Sequence, residues 1–319
     1  LTMQLSDIVP VDAIGTGLAR PESVLATARG EIFASHVEGV TWIERGETRL
    51  IRPRSAPRGF MPNGIALAPD RSLLIANVGD TGGLWRMSLD GDLEPLLLEV
   101  DGKPLPALNF VSVDRAGRVW ITVSTVANPR WRHFRPDRAD GFIVLLDRGA
   151  ARVVKDGLAW TNEAVPSPDG GWLYVNETAL RRTSRFPILA NGDLGARETV
   201  AQFGAGIFPD GLAFDAQGGF WVVSVISNLL IRVAADGGQT VMLRDENSGF
   251  TAAIEAAFAG GTFAPDMMEG GGGERLNNIS SMAFCDGDLS TIVLGSLHGR
   301  TLARFRSPIA GAPPVHWRF

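Results

Sequence analysis

The chain holds one cysteine among 319 residues, Cys285, so no intramolecular disulfide is available and no cysteine cluster can hold zinc. A lone thiol fits best as a small buried hydrophobe. Its isolation suits a reducing compartment, although a periplasmic protein without disulfides has the same composition. No apolar run approaches the length needed to span a bilayer. The opening residues Leu1-Thr2-Met3 lack the basic and apolar regions of a signal peptide, so a cytoplasmic protein is expected, with the periplasm also compatible. Strong positive charge is absent too. A net charge of −5 leaves no footprint for nucleic acid or for an anionic membrane surface. The four histidines, His36, His133, His298 and His316, show no zinc-motif spacing. No Gly-x-Ser-x-Gly occurs, and the glycine tract near Gly270 lacks the strand-to-helix setting that binds a dinucleotide.

What the chain has in abundance is turn chemistry. Thirty-eight glycines and nineteen prolines stand in a sequence that is 45% hydrophobic and 20% charged, which favours a β-rich globular fold. One pattern recurs six times, most clearly in Phe208-Pro209-Asp210-Gly211-Leu212-Ala213-Phe214-Asp215, followed by Gly218 and the strand Phe220-Trp221-Val222-Val223. A polar residue opens each unit, an apolar stretch follows, and a turn with Asp and Gly leads into an aromatic strand. Aligned on that turn, the openers are Glu22, Asn63, Asn109, Asn162, Asp210 and, with a weaker match, Ser280. They stand 41, 46, 53, 48 and 70 residues apart. Such a period, with alternating apolar positions and several short strands per unit, is the signature of a propeller. The expected fold is all-β: one six-bladed β-propeller domain over residues 1–319, with four antiparallel strands per blade. A first strand within residues 3–11 is expected to complete the last blade, because closure by both ends of the chain removes exposed edges.

Two segments break the rhythm. Residues 126–136 are rich in arginine and aromatic side chains, with Arg130, Arg132 and Arg135 among them. The segment between Asp245 and Asn278 contains a short amphipathic helix predicted over 251–259. Insertions of this length serve as binding loops or lids, or stand as surface elaboration.

The first strand of each propeller blade lines the central channel, so the openers are expected to converge at its mouth. Two are acids and none is Lys or Arg. Two carboxylates with carboxamide oxygens suit a hard divalent cation, which relieves the mutual repulsion of the acids.

These residues carry a family resemblance. Asn109 with Val113-Asp114-Arg115-Ala116-Gly117-Arg118-Val119-Trp120 is one part of it, and Trp160-Thr161-Asn162 with Ser167-Pro168-Asp169-Gly170 is another. Leu173-Tyr174-Val175-Asn176-Glu177-Thr178 and Pro209-Asp210-Gly211-Leu212-Ala213 complete it. The chain resembles the regucalcin–gluconolactonase family over nearly all its length. The resemblance implies one divalent cation (calcium, zinc, manganese or iron) held by Glu22, Asn162 and Asp210. Asn109 matches a position that ligates directly in related phosphofluoridate-hydrolysing propellers and contacts water or substrate in lactonases. The implied reaction is opening of a sugar-derived or similar cyclic ester by a water that either the cation or Asp210, acting as base, activates. Asn63 and Asn109 are then expected to orient the ring hydroxyls of this small-molecule substrate, and Arg130, Arg132 and Arg135 either attract a polar or acidic sugar or belong to a solvated loop. There are departures: Pro21-Glu22-Ser23 replaces Glu-Gly-Pro, and Glu163 replaces the glycine after the fourth-blade Asn. Glu163 then shapes substrate preference, supplies an acid or base, or faces away. His36 occupies a position where relatives carry Asp, and either lines the pocket or lies at the surface. Phosphotriesterase-like or strictosidine-synthase-like chemistry, and a non-catalytic metal-binding propeller, are the other readings.

Overall fold

In units two to six an aspartate closes a tight turn and returns the chain antiparallel to itself; in the first unit Thr27 and Glu31 hold the turn. Asp215 shows the device in full. Its carboxylate accepts from Gln217 N and Gly219 N at 2.9 Å each, from Trp221 Nε1 at 3.0 Å and from Arg232 Nε at 2.6 Å. Asp114 repeats it with Ala116 N, Arg118 N, Arg118 Nε and Trp120 Nε1. One side chain thus fixes a turn and anchors the indole of the next strand, and both indoles are fully buried.

The computed structural model describes residues 12–319. Six four-stranded antiparallel sheets form a β-propeller. The strands nearest the axis are Val24–Ala26, Pro62–Leu67, Phe110–Val113, Thr161–Pro166, Pro209–Phe214 and Ile279–Cys285, in blades one to six. The outermost strand of blade six is Asp12–Ile14, paired with Leu302–Arg306. The first and last strands of the described residues therefore share one sheet. The strand expected within residues 3–11 lies outside the described residues.

Neighbouring inner strands are tied directly to each other. Ile65 N donates to Ser23 Oγ, Gly64 N to Asn109 O, Ser112 Oγ to Ala164 O and Ser280 Oγ to Glu22 O, at 2.7–3.2 Å. Two of these junctions leave no room for a side chain. A Cβ on Gly64 would meet Phe110 Cα at 2.5 Å, and one on Gly211 would meet Ser281 Cα at 2.6 Å. Glycine is required there by backbone contact between blades.

The turn end of the channel is closed by the last part of the chain. Ala216 N donates to Ala310 O, Ala312 N to Phe214 O and Ala28 N to Trp317 O. Residues 312–316 then line an enclosed channel cavity of about 130 Å³. His316 faces it, and burial pushes its imidazole down to about 4. The helix of the second insertion spans Ser248–Gly260, starting three residues before the predicted span. Asn247 sets that start by accepting from Phe250 N, and Gly261 ends it with φ 66°.

The turn aspartates carry a stability expectation. Burial pushes the Asp215 carboxyl up, but the hydrogen bonds from Arg232, Gly219, Trp221 and Gln217 hold it below its ordinary range. Asp215→Ala leaves a half-buried guanidinium, an indole N–H and two backbone N–H groups without this acceptor. Urea unfolding should show a loss of about 3–5 kcal/mol; a loss below about 1 kcal/mol would contradict this role.

Candidate metal centre at the channel mouth

The openers lie where the ladder of the inner strand is interrupted. Pro62 pairs with Asn77 and Ile65 with Ile75, so Asn63 and Gly64 together oppose Ala76. Asn162 and Glu163 oppose Asn176 in the same way, and Asp210 and Gly211 oppose Val223. A bulge of this kind swings one side chain out of the pleat. Here it swings Asn63, Asn162 and Asp210 into the mouth, where they meet Glu22 and Asn109 around a cavity of about 160 Å³. All five are buried. Ser280 does not line this cavity; its hydroxyl is used on the Glu22 carbonyl.

Asn63 is held on both sides. Its Nδ2 donates to Glu22 Oε1 at 2.9 Å and to Asn109 O at 2.8 Å, while its Oδ1 accepts from Arg20 Nη2 at 2.6 Å. Asn162 Nδ2 donates to Thr178 Oγ1 at 3.1 Å, and that hydroxyl donates to Pro209 O at 2.7 Å. The Asn162 carboxamide is thereby oriented, and its Oδ1 is left buried with no hydrogen-bond partner. A buried acceptor without a donor costs about 1–3 kcal/mol, so this oxygen has acceptor capacity to offer a ligand.

The two acids make the same point electrostatically. Burial and repulsion from Glu22 push the Asp210 carboxyl well above its ordinary range, against the Asn162 carboxamide, Arg20 and Arg130. Burial also raises Glu22, opposed by Arg20, the Asn63 hydrogen bond and Arg130. Two mutually repelling carboxylates beside an unpartnered carboxamide oxygen fit an oxygen-loving divalent cation. No group of three His, Cys, Asp or Glu side chains suited to a metal occurs among the described residues, so a cation at this mouth would require carboxamide oxygens as well.

Arg130 also lines the mouth. Its Nη2 donates to Ser124 Oγ at 2.9 Å and its guanidinium lies 5.3 Å from the Trp160 ring centroid. Burial, with repulsion from Arg20, pushes it down to about 10 against the pull of Glu22 and Asp210. Arg132 and Arg135 are not among the lining residues.

The structure brings in several groups that the sequence reading passed over. Arg20 and Trp160 each stand two residues before an opener, each with φ 56°, in the left-handed region that turns their side chains into the mouth. A basic residue two positions from an expected ligand was the available signal. The two insertions meet over the site. The Phe134 ring is 5.0 Å from Trp160, 5.0 Å from Phe258 and 4.9 Å from Phe263. Phe134, Trp160, Phe263, Met268 and Leu297 form an apolar roof opposite the polar floor. These two segments therefore line one side of the cavity.

Two substrate-binding expectations change. His36 does not line the mouth; its Nδ1 accepts from Glu38 N at 3.1 Å in the adjoining turn. Glu163 does not line it either. It occupies the bulge position filled by glycine in blades two and five, and its side chain enters the channel below the ring. There Oε2 accepts from Leu212 N at 2.9 Å, so the carboxyl joins blade four to blade five.

A model of the SMP-30/Gluconolactonase/LRE-like region matches residues 40–261. The chain belongs to this family. Among curated relatives it is similar to 6-deoxy-6-sulfogluconolactonase of Pseudomonas putida, at 30% identity over 159 residues, covering 49% of this chain and 52% of that protein. It is 28% identical to strictosidine synthase-like 13 of Arabidopsis thaliana over 158 residues, or 46% of this chain and 34% of that protein. The match thus spans about half, or less, of these relatives' length. Among solved structures, regucalcin of Agrobacterium tumefaciens, a calcium-binding protein, superposes with a TM-score of 0.68 at 17% identity, covering 98% of this chain and 97% of that one. A gluconolactonase of Xanthomonas campestris gives 0.67 at 19% identity, covering 92% and 88%. At such identities the likeness establishes the fold.

Glu163 gives a test with a sign. Burial, then repulsion from Asp210 and Glu22, raises its carboxyl well above the ordinary 4.5, against the Leu212 N–H. The folded state therefore keeps this proton after the unfolded chain has released it. Stability falls as pH rises from about 4.5 through the folded value. Glu163→Gln keeps the acceptor and removes this loss, so its advantage over the parent in thermal melts should grow with pH. Glu163→Ala should cost about 1–3 kcal/mol by stranding Leu212 N. A Gln variant less stable than the parent across the whole pH range would rule out this strut.

Proposed function

We propose that the chain is a cation-dependent lactonase working at the channel mouth. The observation that carries this reading is the unpartnered Asn162 Oδ1 beside the paired acids Glu22 and Asp210. Glu22, Asn162 and Asp210 would hold one divalent cation, with Asn109 as a fourth oxygen donor or a contact to substrate. Family membership and the partial match to a sugar lactonase support a cyclic ester as substrate. A bound cation supplies Lewis-acid polarisation of a carbonyl oxygen.

The chain's own groups supply the rest. The bond formed is between water oxygen and the lactone carbonyl carbon, and the bond broken is from that carbon to the ring oxygen. Asp210 takes the water proton on its carboxylate and returns it to the departing ring oxygen, leaving a hydroxy acid. Its raised proton affinity suits that exchange, while ligation would lower it. Asn63 and Asn109, held by hydrogen bonds at their backbone or side chain, orient the substrate's polar edge. The roof of Phe134, Trp160, Phe263 and Met268 keeps bulk water from the floor.

Asp210→Asn preserves shape and removes one charge. Lactone hydrolysis should fall by about 10²–10⁴-fold, and cation content by elemental analysis should fall with it. Full activity in this variant would refute the assignment of Asp210.

A further inference from the structure

Arg20 and Arg130 take no step in the hydrolysis proposed above, yet both line the cavity that holds Glu22 and Asp210. Among the described residues, all their hydrogen bonds go to neutral acceptors. Arg20 donates to Pro62 O at 3.3 Å and Asn63 Oδ1 at 2.6 Å, and Arg130 to Ser124 Oγ at 2.9 Å. Arg130 Nε is buried with no partner at all. Each guanidinium carries five donors in a fixed fork, so several N–H groups at this mouth lack acceptors. Both side chains are nonetheless held in place, Arg20 by Asn63 and Arg130 by Ser124 and the Trp160 face. Oriented donors without acceptors are a built anion site.

The charges decide how such a site behaves. Two carboxylates and two guanidinium groups sum to zero. A divalent cation between the acids raises that sum to two positive charges within one small, roofed cavity. Repulsion from the arginines then weakens cation binding until an anion joins them. We infer that the mouth takes a ligand bearing a carboxylate or sulfonate, bound by Arg20 and Arg130, and that cation and anion bind cooperatively. The inference rests on the cation reading and deepens it: the substrate is an acidic cyclic ester, or the acidic product is retained. Coupling of this kind is reciprocal, each ligand tightening the other by the same factor.

The experiment is calorimetric titration of the full chain with Mn²⁺, alone and with hexanesulfonate, whose alkyl arm suits the Trp160, Phe263 and Met268 roof. Uncharged 1-hexanol at the same ionic strength is the control. Hexanesulfonate should tighten Mn²⁺ about fivefold or more, and 1-hexanol should not. Arg130→Met should bind Mn²⁺ more tightly than the parent without anion and lose the coupling, while Arg130→Lys should retain part of it. Mn²⁺ binding indifferent to hexanesulfonate, or weakened by Arg130→Met in a variant that melts like the parent, would overturn the inference and leave the cation reading intact. No Mn²⁺ binding under any condition would overturn both.

Discussion

Backbone contact between neighbouring inner strands is the constraint on which the site depends. Where Gly64 meets Phe110 and Gly211 meets Ser281, strands from different blades approach closer than any side chain allows. The ladder within each of those blades must then yield, and it does so by a two-against-one bulge at Asn63-Gly64 and Asp210-Gly211. The bulge turns the first residue of each pair toward the axis. Packing around the ring and presentation of the polar side chains are thus one geometric event. Blade four solves the same junction differently. Glu163 replaces the glycine and reaches Leu212 N with its carboxyl, at the cost of burying a third acid below Glu22 and Asp210.

That crowding has chemical consequences. Three buried acids within one channel cannot all be ionised without compensation. Arg20 and Arg130 supply part of it, and the unpartnered Asn162 oxygen marks where a cation would supply the rest. The apolar side chains that the two insertions place beside the acids, Phe134, Phe263 and Met268, make the surroundings of those charges less polar than the open surface.

Much of this was legible in the residues. The phase of Glu22, Asn63, Asn109, Asn162 and Asp210 placed five side chains at one mouth because a propeller repeats one geometry. The Asp-Gly turns read correctly because each aspartate bonds its own following N–H groups. What was hidden depended on contacts between distant segments. Arg20 faces the mouth through a left-handed backbone that no local propensity announces. For His36 the position left pocket and surface both open; a turn two residues long captures its ring nitrogen. Phe134, Trp160, Phe258 and Phe263 form a roof only when blades three and four and the helix Ser248–Gly260 are brought together. The closure of the channel by residues 312–316 is likewise a matter of topology.

The central claim is that Glu22, Asn162 and Asp210 hold a divalent cation between them. Anomalous diffraction from crystals soaked in Mn²⁺ addresses it most directly. The expected result is one strong anomalous peak within ligation distance of carboxylate oxygens of Glu22 and Asp210 and of Asn162 Oδ1. Saturated crystals showing manganese only at surface carboxylates, with no density at the mouth, would contradict it.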